Sequence, residues 1–509
     1  MALGSVKLVA ALFLAMLLLS FAAHRGLWGN EFYKDDYEWL TIAMDIVASP
    51  RSLFTPDPMN SEYVLRTTQR LLVACTYAAT GTRARGYYLV GLILHAGAAT
   101  LLFLLIRALY VGQVGRNALA LLGALFFVTS SCHQGGVVWM SAQSTLLVTN
   151  ALLLLFLFVV HNAENLNRPR SQVIVAIVYA AALVSKKSAV VFPLLLASYF
   201  LIVHCEHREP RSSRLQRCLR QARGVLALSS AMAVGMLLFA RYAVGDPKLS
   251  RMWPALEDAS FGLSFNMLHN VAGAFLGCFL PAPFYYERFQ NVLPFQLAAL
   301  LLALAFALLL RSASCPRRSI LFGLTWMLVA SLPASLFNYV QYEPLQLTTS
   351  RYYYLPMVGA SIVVAGVARA VLARWQRLHW CGTLSVLFGI AHAALHSYEI
   401  EATRRTLHDY TVSRRIYIET ALQVAKRQAP RGSILHARNW PFATQRVPRI
   451  GRIFFEPHGY ELHNEEPTPR RRDDVDAARF ILERDLESNY PRLVPLSSGN
   501  GTTREERSR

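Results

Sequence analysis

Runs of roughly 18 to 24 apolar residues recur from the start of the chain to about position 396. Each has the length a helix needs to cross a hydrocarbon core of about 30 Å. A helix satisfies its own backbone polar groups in lipid, so such runs read as membrane helices. The runs place helices at 6–23, 87–110, 117–132, 144–161, 172–185, 189–204, 224–243, 292–311, 319–338, 353–373 and 379–396. With 54% hydrophobic and only 16% charged residues, the chain has too little charge to cover a soluble surface of this size. The expected fold is an all-α polytopic membrane protein with about eleven transmembrane helices and a small C-terminal soluble domain. The first run follows Lys7 and ends on the small pair Ala22-Ala23, as a signal peptide does. Because the rest of the chain is embedded, a retained first helix is expected.

The net charge of +20 sits mostly in short connections between apolar runs. That is the positive-inside pattern rather than a nucleic-acid surface, so no nucleic-acid partner is expected. With a cytoplasmic N-terminus, every second connection is basic: Arg107 and Arg116, Arg168 and Arg170, Arg208 to Arg223, Arg311 to Arg318, and Arg374 with Arg377. The long loops 24–86 and 244–291, the 339–352 loop and the C-terminal tail then fall on the outer side, periplasmic or luminal. A bacterial inner membrane is the expected location. The apolar stretches 71–80 and 264–282 resist this parity and read as helices lying in the outer interface.

From Ser397 the chain turns polar. Residues 1–396 therefore form the membrane domain, 397–496 a small soluble domain on the outer side, and 497–509 a disordered tail. A helix-like stretch is expected near Asp474 to Glu487. The seven cysteines include no CxxC and no ligand-spaced cluster, so they predict no structural metal site.

Charged groups at a membrane boundary are costly without a task or a partner. Four outer-side segments carry them or polar groups near them. Glu31-Phe-Tyr-Lys-Asp35-Asp36 sets two adjacent carboxylates among aromatics, an arrangement suited to a general base or a metal ligand, or to a solvated loop beside an aromatic belt. Ser185-Lys186-Lys187-Ser188 places two of only six lysines on the side that disfavours them, which calls for an anionic partner such as a phosphate. Thr348-Thr-Ser-Arg351-Tyr352-Tyr-Tyr354 opens a helix with another cation. Ser130-Ser-Cys-His133 through Gln143 forms a tight outer turn. His95, inside the second helix, and His133 each read by themselves as hydrogen-bonded structural residues.

The order of these motifs resembles the GT-C superfamily of integral-membrane glycosyltransferases. The likeness is strongest to the membrane region of the transmembrane and tetratricopeptide-repeat O-mannosyltransferases and their bacterial relatives. It rests on Asp35-Asp36, His95, His133 followed by Val137-Val-Trp139, Ser185-Lys186 with Pro193, and Trp326, Leu332-Pro333 and Arg351-Tyr-Tyr-Tyr-Leu-Pro-Met-Val-Gly359. The resemblance implies a polyprenyl-phosphate-linked sugar as donor, a protein or glycan acceptor, and transfer on the outer side with inversion. It makes Asp35 the base, with Asp36 as partner or alternative. Lys186, Lys187 and Arg351 would bind the donor phosphate, and His133, His95, Tyr352 and Tyr354 would line the site. No protein-bound cofactor is demanded, and a divalent metal is an alternative holder of the departing charge. Lys187 stands where the family has Glu, and Ser350 where it has another. A flippase or transporter of lipid-linked sugars, an O-antigen polymerase- or ligase-like enzyme, and an inactive family member are the competing readings. A transporter more often breaks its helices at mid-membrane, whereas here the polar residues gather at one face.

Overall fold

The computed structural model describes residues 3–56, 61–113, 115–204, 211–245, 271–272, 275–279, 316–337, 351–374, 381–438, 440, 447–464, 479–484 and 491–495. The helix expected at 292–311, most of 264–282 and residues 338–350 of the loop expected at 339–352 and its approach lie outside them.

The apolar runs fold as helices α1 (Leu3–His24), α4 (Ala84–Leu109), α5 (Arg116–Thr129), α7 (Gln143–His161), α8 (Pro169–Leu183), α10 (Arg211–Tyr242), α11 (Arg317–Phe337) and α12 (Tyr354–Arg374). Between α1 and α4, the long first loop supplies α2 (Asp36–Ala48) and α3 (Thr67–Thr80). After α5 comes the short α6 (Gln134–Val138). The expected span 189–204 is compound: a 3-10 turn at Lys187–Val191, α9 (Phe192–Tyr199) opened by Pro193, then a π turn at Phe200–His204. Among the described residues six segments are long and apolar enough to cross a membrane. A seventh is α5 with the Ser131–Val138 segment, which bends by 57°. The chain is a polytopic integral membrane protein.

Position within the bundle follows from burial. The apolar window of α1 is only 11% buried, whereas that of α12 is 72% buried. Val6, Leu8, Leu14 and Leu18 of α1 point outward, as do Val173 and Ile177 of α8. Lipid solvates such side chains, so no protein partner is required. At the centre, α12 packs along α11, α5 and α7. Backbones meet closely at Gly323 and Gly359: a Cβ on Gly359 would stand 2.4 Å from the Gly323 carbonyl oxygen. Small residues serve this purpose in membranes, where packing rather than hydrophobicity holds helices together. Gly359→Ala is expected to cost about 1–3 kcal/mol by overpacking. Gly235→Ala on α10 has open space around it and is expected to be neutral. Thermal unfolding in detergent, followed by tryptophan fluorescence, separates the two.

The last helix, α13 (Cys381–Gln428), runs unbroken across position 397. Its 48 residues make it about 72 Å long, more than twice a hydrocarbon core. The first half lies along α5, where the His392 ring nitrogen Nδ1 meets Thr129 Oγ1 at 2.8 Å and His396 accepts the Ser131 N–H at 3.0 Å. The second half buries Thr411, Ile418, Ala421 and Ala425 on one face at helical spacing. Beyond it, β1 (Ile434–Arg438), α14 (Val447–Ile450), β2 (Glu461–Asn464), β3 (Arg479–Arg484) and β4 (Pro491–Pro495) follow. They build a four-stranded sheet in the order β2-β1-β3-β4. β1 pairs in parallel with both neighbours and β3 antiparallel with β4. The helix-like stretch expected near Asp474 to Glu487 is thus corrected over Arg479–Arg484, which is strand. Phe480-Ile481-Leu482 fits a helix turn or a short strand equally, and pairing with Ile434–Arg438 decides for strand.

The sheet module docks on the loop between α1 and α4. Arg449 donates to Thr41 Oγ1 at 3.0 Å, and Arg452 pairs with Asp45. Both partners lie on α2, so the sheet sits at the same end of the bundle as the acidic pair.

Candidate functional site

The first wall of the site is the turn that opens α2. Tyr33 N–H donates to Asp36 Oδ2 at 2.9 Å, and Asp36 N–H returns a bond to the Tyr33 carbonyl at 3.0 Å. Lys34, between them, adopts φ +44°, a conformation that costs a non-glycine residue energy. The turn therefore closes tightly, and Asp36 is almost fully buried. Its Oδ1 accepts the Ser141 N–H at 3.0 Å, from the turn between α6 and α7. Asp36 is thus a clamp between two segments. Asp35, at the N-cap of α2, makes no capping bond with its side chain and is half-buried. The adjacent acids are chemically alike and structurally different.

The second wall is the turn that Asp36 holds. All of 130–146 is buried. Gln69 of α3, fully buried, donates to the carbonyls of Met140 and Ser141, each at 3.0 Å. Thr68 bonds the end of α8 through Val184 and Ala181. One helix of the first loop therefore sets both the 139–142 turn and the segment leading into Lys186.

The cations complete the arrangement. The Arg351 guanidinium lies 4.5 Å from the Trp139 ring centroid and 4.9 Å from that of Tyr352, and donates to the Tyr352 hydroxyl at 3.0 Å. Lys186 Nζ lies 5.6 Å from the same Tyr352 ring and bonds Thr145 Oγ1. Trp139 also packs edge-on against Tyr33, 5.6 Å between centroids. A continuous chain of contacts thus joins Asp36, Tyr33, Trp139, Arg351, Tyr352 and Lys186, from four segments distant in sequence. Two donors here, Arg351 Nε and Trp139 Nε1, are buried without a hydrogen-bond partner. Buried donors left unmade are costly and commonly mark a binding surface.

His95, His133 and Tyr354 form a separate packed layer. His95 Nδ1 meets the Tyr354 hydroxyl at 2.7 Å, and His133 stacks among Phe127, His95 and Tyr354 with centroids 4.3 to 4.8 Å away. All three residues are fully buried. Tyr354 connects this layer to the cations: it opens α12, three residues after Arg351. Lys187 begins the 3-10 turn after Lys186.

Sequence reasoning missed Gln69, Tyr33, Ser141 and Thr145. Gln69 carries a readable signal, an amide beside Arg70 at the start of an apolar stretch. The Ser141 contribution is a backbone N–H and leaves no trace in residue type. Among the described residues no three His, Cys, Asp or Glu side chains gather as a metal set. Both Asp36 oxygens accept backbone N–H groups, so that carboxylate is committed to holding the turn. Near the acidic pair, burial holds the Glu31 carboxyl above the usual carboxylate range, against the opposing pull of Arg415.

No protein-family model matches the chain, and no curated protein matches its sequence. Solved structures similar to it include ArnT from Cupriavidus metallidurans bound to undecaprenyl phosphate, with a TM-score of 0.47 and 14% identity over 95% of this chain and 94% of that one. The Archaeoglobus fulgidus oligosaccharyltransferase in complex with Zn and sulfate scores 0.47, with 10% identity over 89% of this chain. This chain spans 62% of that enzyme's length. The likeness is one of overall arrangement, and at these scores it assigns neither substrate nor mechanism.

Proposed function

We propose that this chain transfers a sugar from a polyprenyl-phosphate-linked donor to an acceptor at the outer face of the membrane. The observation that carries the reading is two cations against one ring, Lys186 and Arg351 at Tyr352, joined through Trp139 to the turn that bears Asp35 and Asp36. An anionic headgroup at the membrane surface satisfies both cations, and the unmade Arg351 donor with them. The sequence pattern supports a bundle of about eleven spans with a cytoplasmic N-terminus, which places this end and the sheet module outside.

In the reaction the acceptor hydroxyl oxygen bonds to the anomeric carbon as the carbon–oxygen bond to phosphate breaks. The acceptor proton passes to Asp35. The electron pair leaves with polyprenyl phosphate, whose charge Lys186 and Arg351 stabilise as it departs. Attack opposite the leaving phosphate inverts the anomeric centre. Asp36 holds the turn and takes no proton.

Purified protein with radiolabelled polyprenyl-phosphate sugars and a mixed acceptor preparation is expected to form labelled product and release polyprenyl phosphate, and Lys186→Ala to slow both strongly while leaving them measurable. Movement of the labelled lipid across proteoliposomes without transfer of its sugar would sink the enzyme reading in favour of a flippase.

A further inference from the structure

A polar cavity of about 380 Å³ lies between α13 and the turn at Gly451–His458 of the sheet module, and neither Lys186 nor Arg351 lines it. Arg415, Glu419 and Gln423 line it at i, i+4 and i+8, which is one face of α13. Thr82, Phe454 and His458 also line it. Arg415 Nε donates to Glu419 Oε1 at 2.7 Å, and its guanidinium rests 4.5 Å from the Phe454 centroid. That fixes the guanidinium plane, yet Arg415 Nη1 is buried with no hydrogen-bond partner. A buried donor on the wall of a polar cavity calls for a polar partner there.

The lining defines the ligand's chemistry. A guanidinium fork donates, a carboxylate accepts, an amide and a hydroxyl do both, and one aromatic ring is present. Ligands with several neighbouring hydroxyls match such an alternation of donors and acceptors. A free phosphate fits less well, because the Glu419 carboxylate already holds Arg415. The volume lies in the range of small-molecule sites, about 300–1,000 Å³. Its place matters too. Glu31 N–H donates to Thr411 Oγ1 at 3.2 Å, one helical turn from Arg415, so the cavity adjoins the loop that leads to Asp35.

We infer that this cavity binds a sugar unit of the acceptor, and hence that the acceptor is a glycan rather than a peptide. The inference rests on the transferase reading, but its test does not need turnover. Saturation-transfer NMR on the full chain in nanodiscs would use methyl glycosides of hexoses, hexuronates and N-acetylhexosamines, with a serine- and threonine-bearing hexapeptide as the other arm. At least one glycoside is expected to show transfer, with the peptide silent. Gln423→Trp fills the cavity from an exposed helix position and Arg415→Lys removes the fork, so each is expected to weaken that binding at least tenfold. Polyprenyl phosphate binding, measured on the same samples, is expected to stay unchanged in both variants. Silence from every glycoside, peptide binding in their place, or glycoside binding that neither variant disturbs overturns the inference. Loss of polyprenyl phosphate binding in wild type overturns the transferase reading instead.

Discussion

Asp35→Asn is expected to lower sugar transfer by about 10²- to 10⁴-fold, the range for loss of a positioned general base, with the unfolding midpoint in detergent nearly unchanged. Asparagine is isosteric with aspartate and serves equally well at a helix N-cap, and Asp35 is half-buried where Asp36 is almost fully buried, so the fold loses less here than at Asp36. Asp36→Asn differs. Both Asp36 oxygens accept backbone N–H groups, from Tyr33 and Ser141. An amide turns its NH₂ toward one of them, leaving a buried donor unmet at a cost of about 1–3 kcal/mol. The unfolding midpoint is expected to fall along with activity. Initial rates and thermal melts on the two variants settle the assignment. A stable, inactive Asp36→Asn beside an active Asp35→Asn would exchange the roles, and two active variants would remove the acidic pair from the chemistry.

Much of the membrane region is legible in sequence because lipid makes one demand, a long apolar run, and runs at 6–23, 87–110, 144–161 and 353–373 meet it without tertiary help. The spread of charge also brought Asp35, Lys186 and Arg351 to one end by counting crossings alone. What escaped depends on partners far along the chain. Asp35 and Asp36 are distinguished by the amide of Ser141, 105 residues after Asp36. The strand Arg479–Arg484 is a strand because Ile434–Arg438 lies beside it. A polar break in hydropathy near Ser397 suggested a boundary, yet α13 crosses it, since a helix needs no apolar surface once it leaves lipid and finds a sheet to pack on. Gln69 escaped because its role is to bond two carbonyls, a task many buried residues of other types also perform.

The second large effect is expected at the cations. Arg351→Ala is expected to reduce kcat/KM for the donor by about 10²- to 10³-fold, as loss of one preorganised donor to a developing charge does. Arg351→Lys keeps the charge and loses the plane that lies against Trp139 and Tyr352. An ammonium has no fork to hold two phosphate oxygens at once, so lysine is expected to recover only a minor part of the loss. Lys186→Ala removes the second charge beside Tyr352. If one phosphate sits between the two cations, the single losses cannot add, because the first substitution already frees the headgroup to shift. The Lys186→Ala/Arg351→Ala double variant is therefore expected to fall short of the summed losses by about 0.5–3 kcal/mol, the coupling found between residues that share a partner. A double-mutant cycle on kcat/KM over a donor titration measures it. Strict additivity, with each cation acting as though the other were absent, would separate Lys186 from Arg351 and leave the acid–cation cluster without a common substrate.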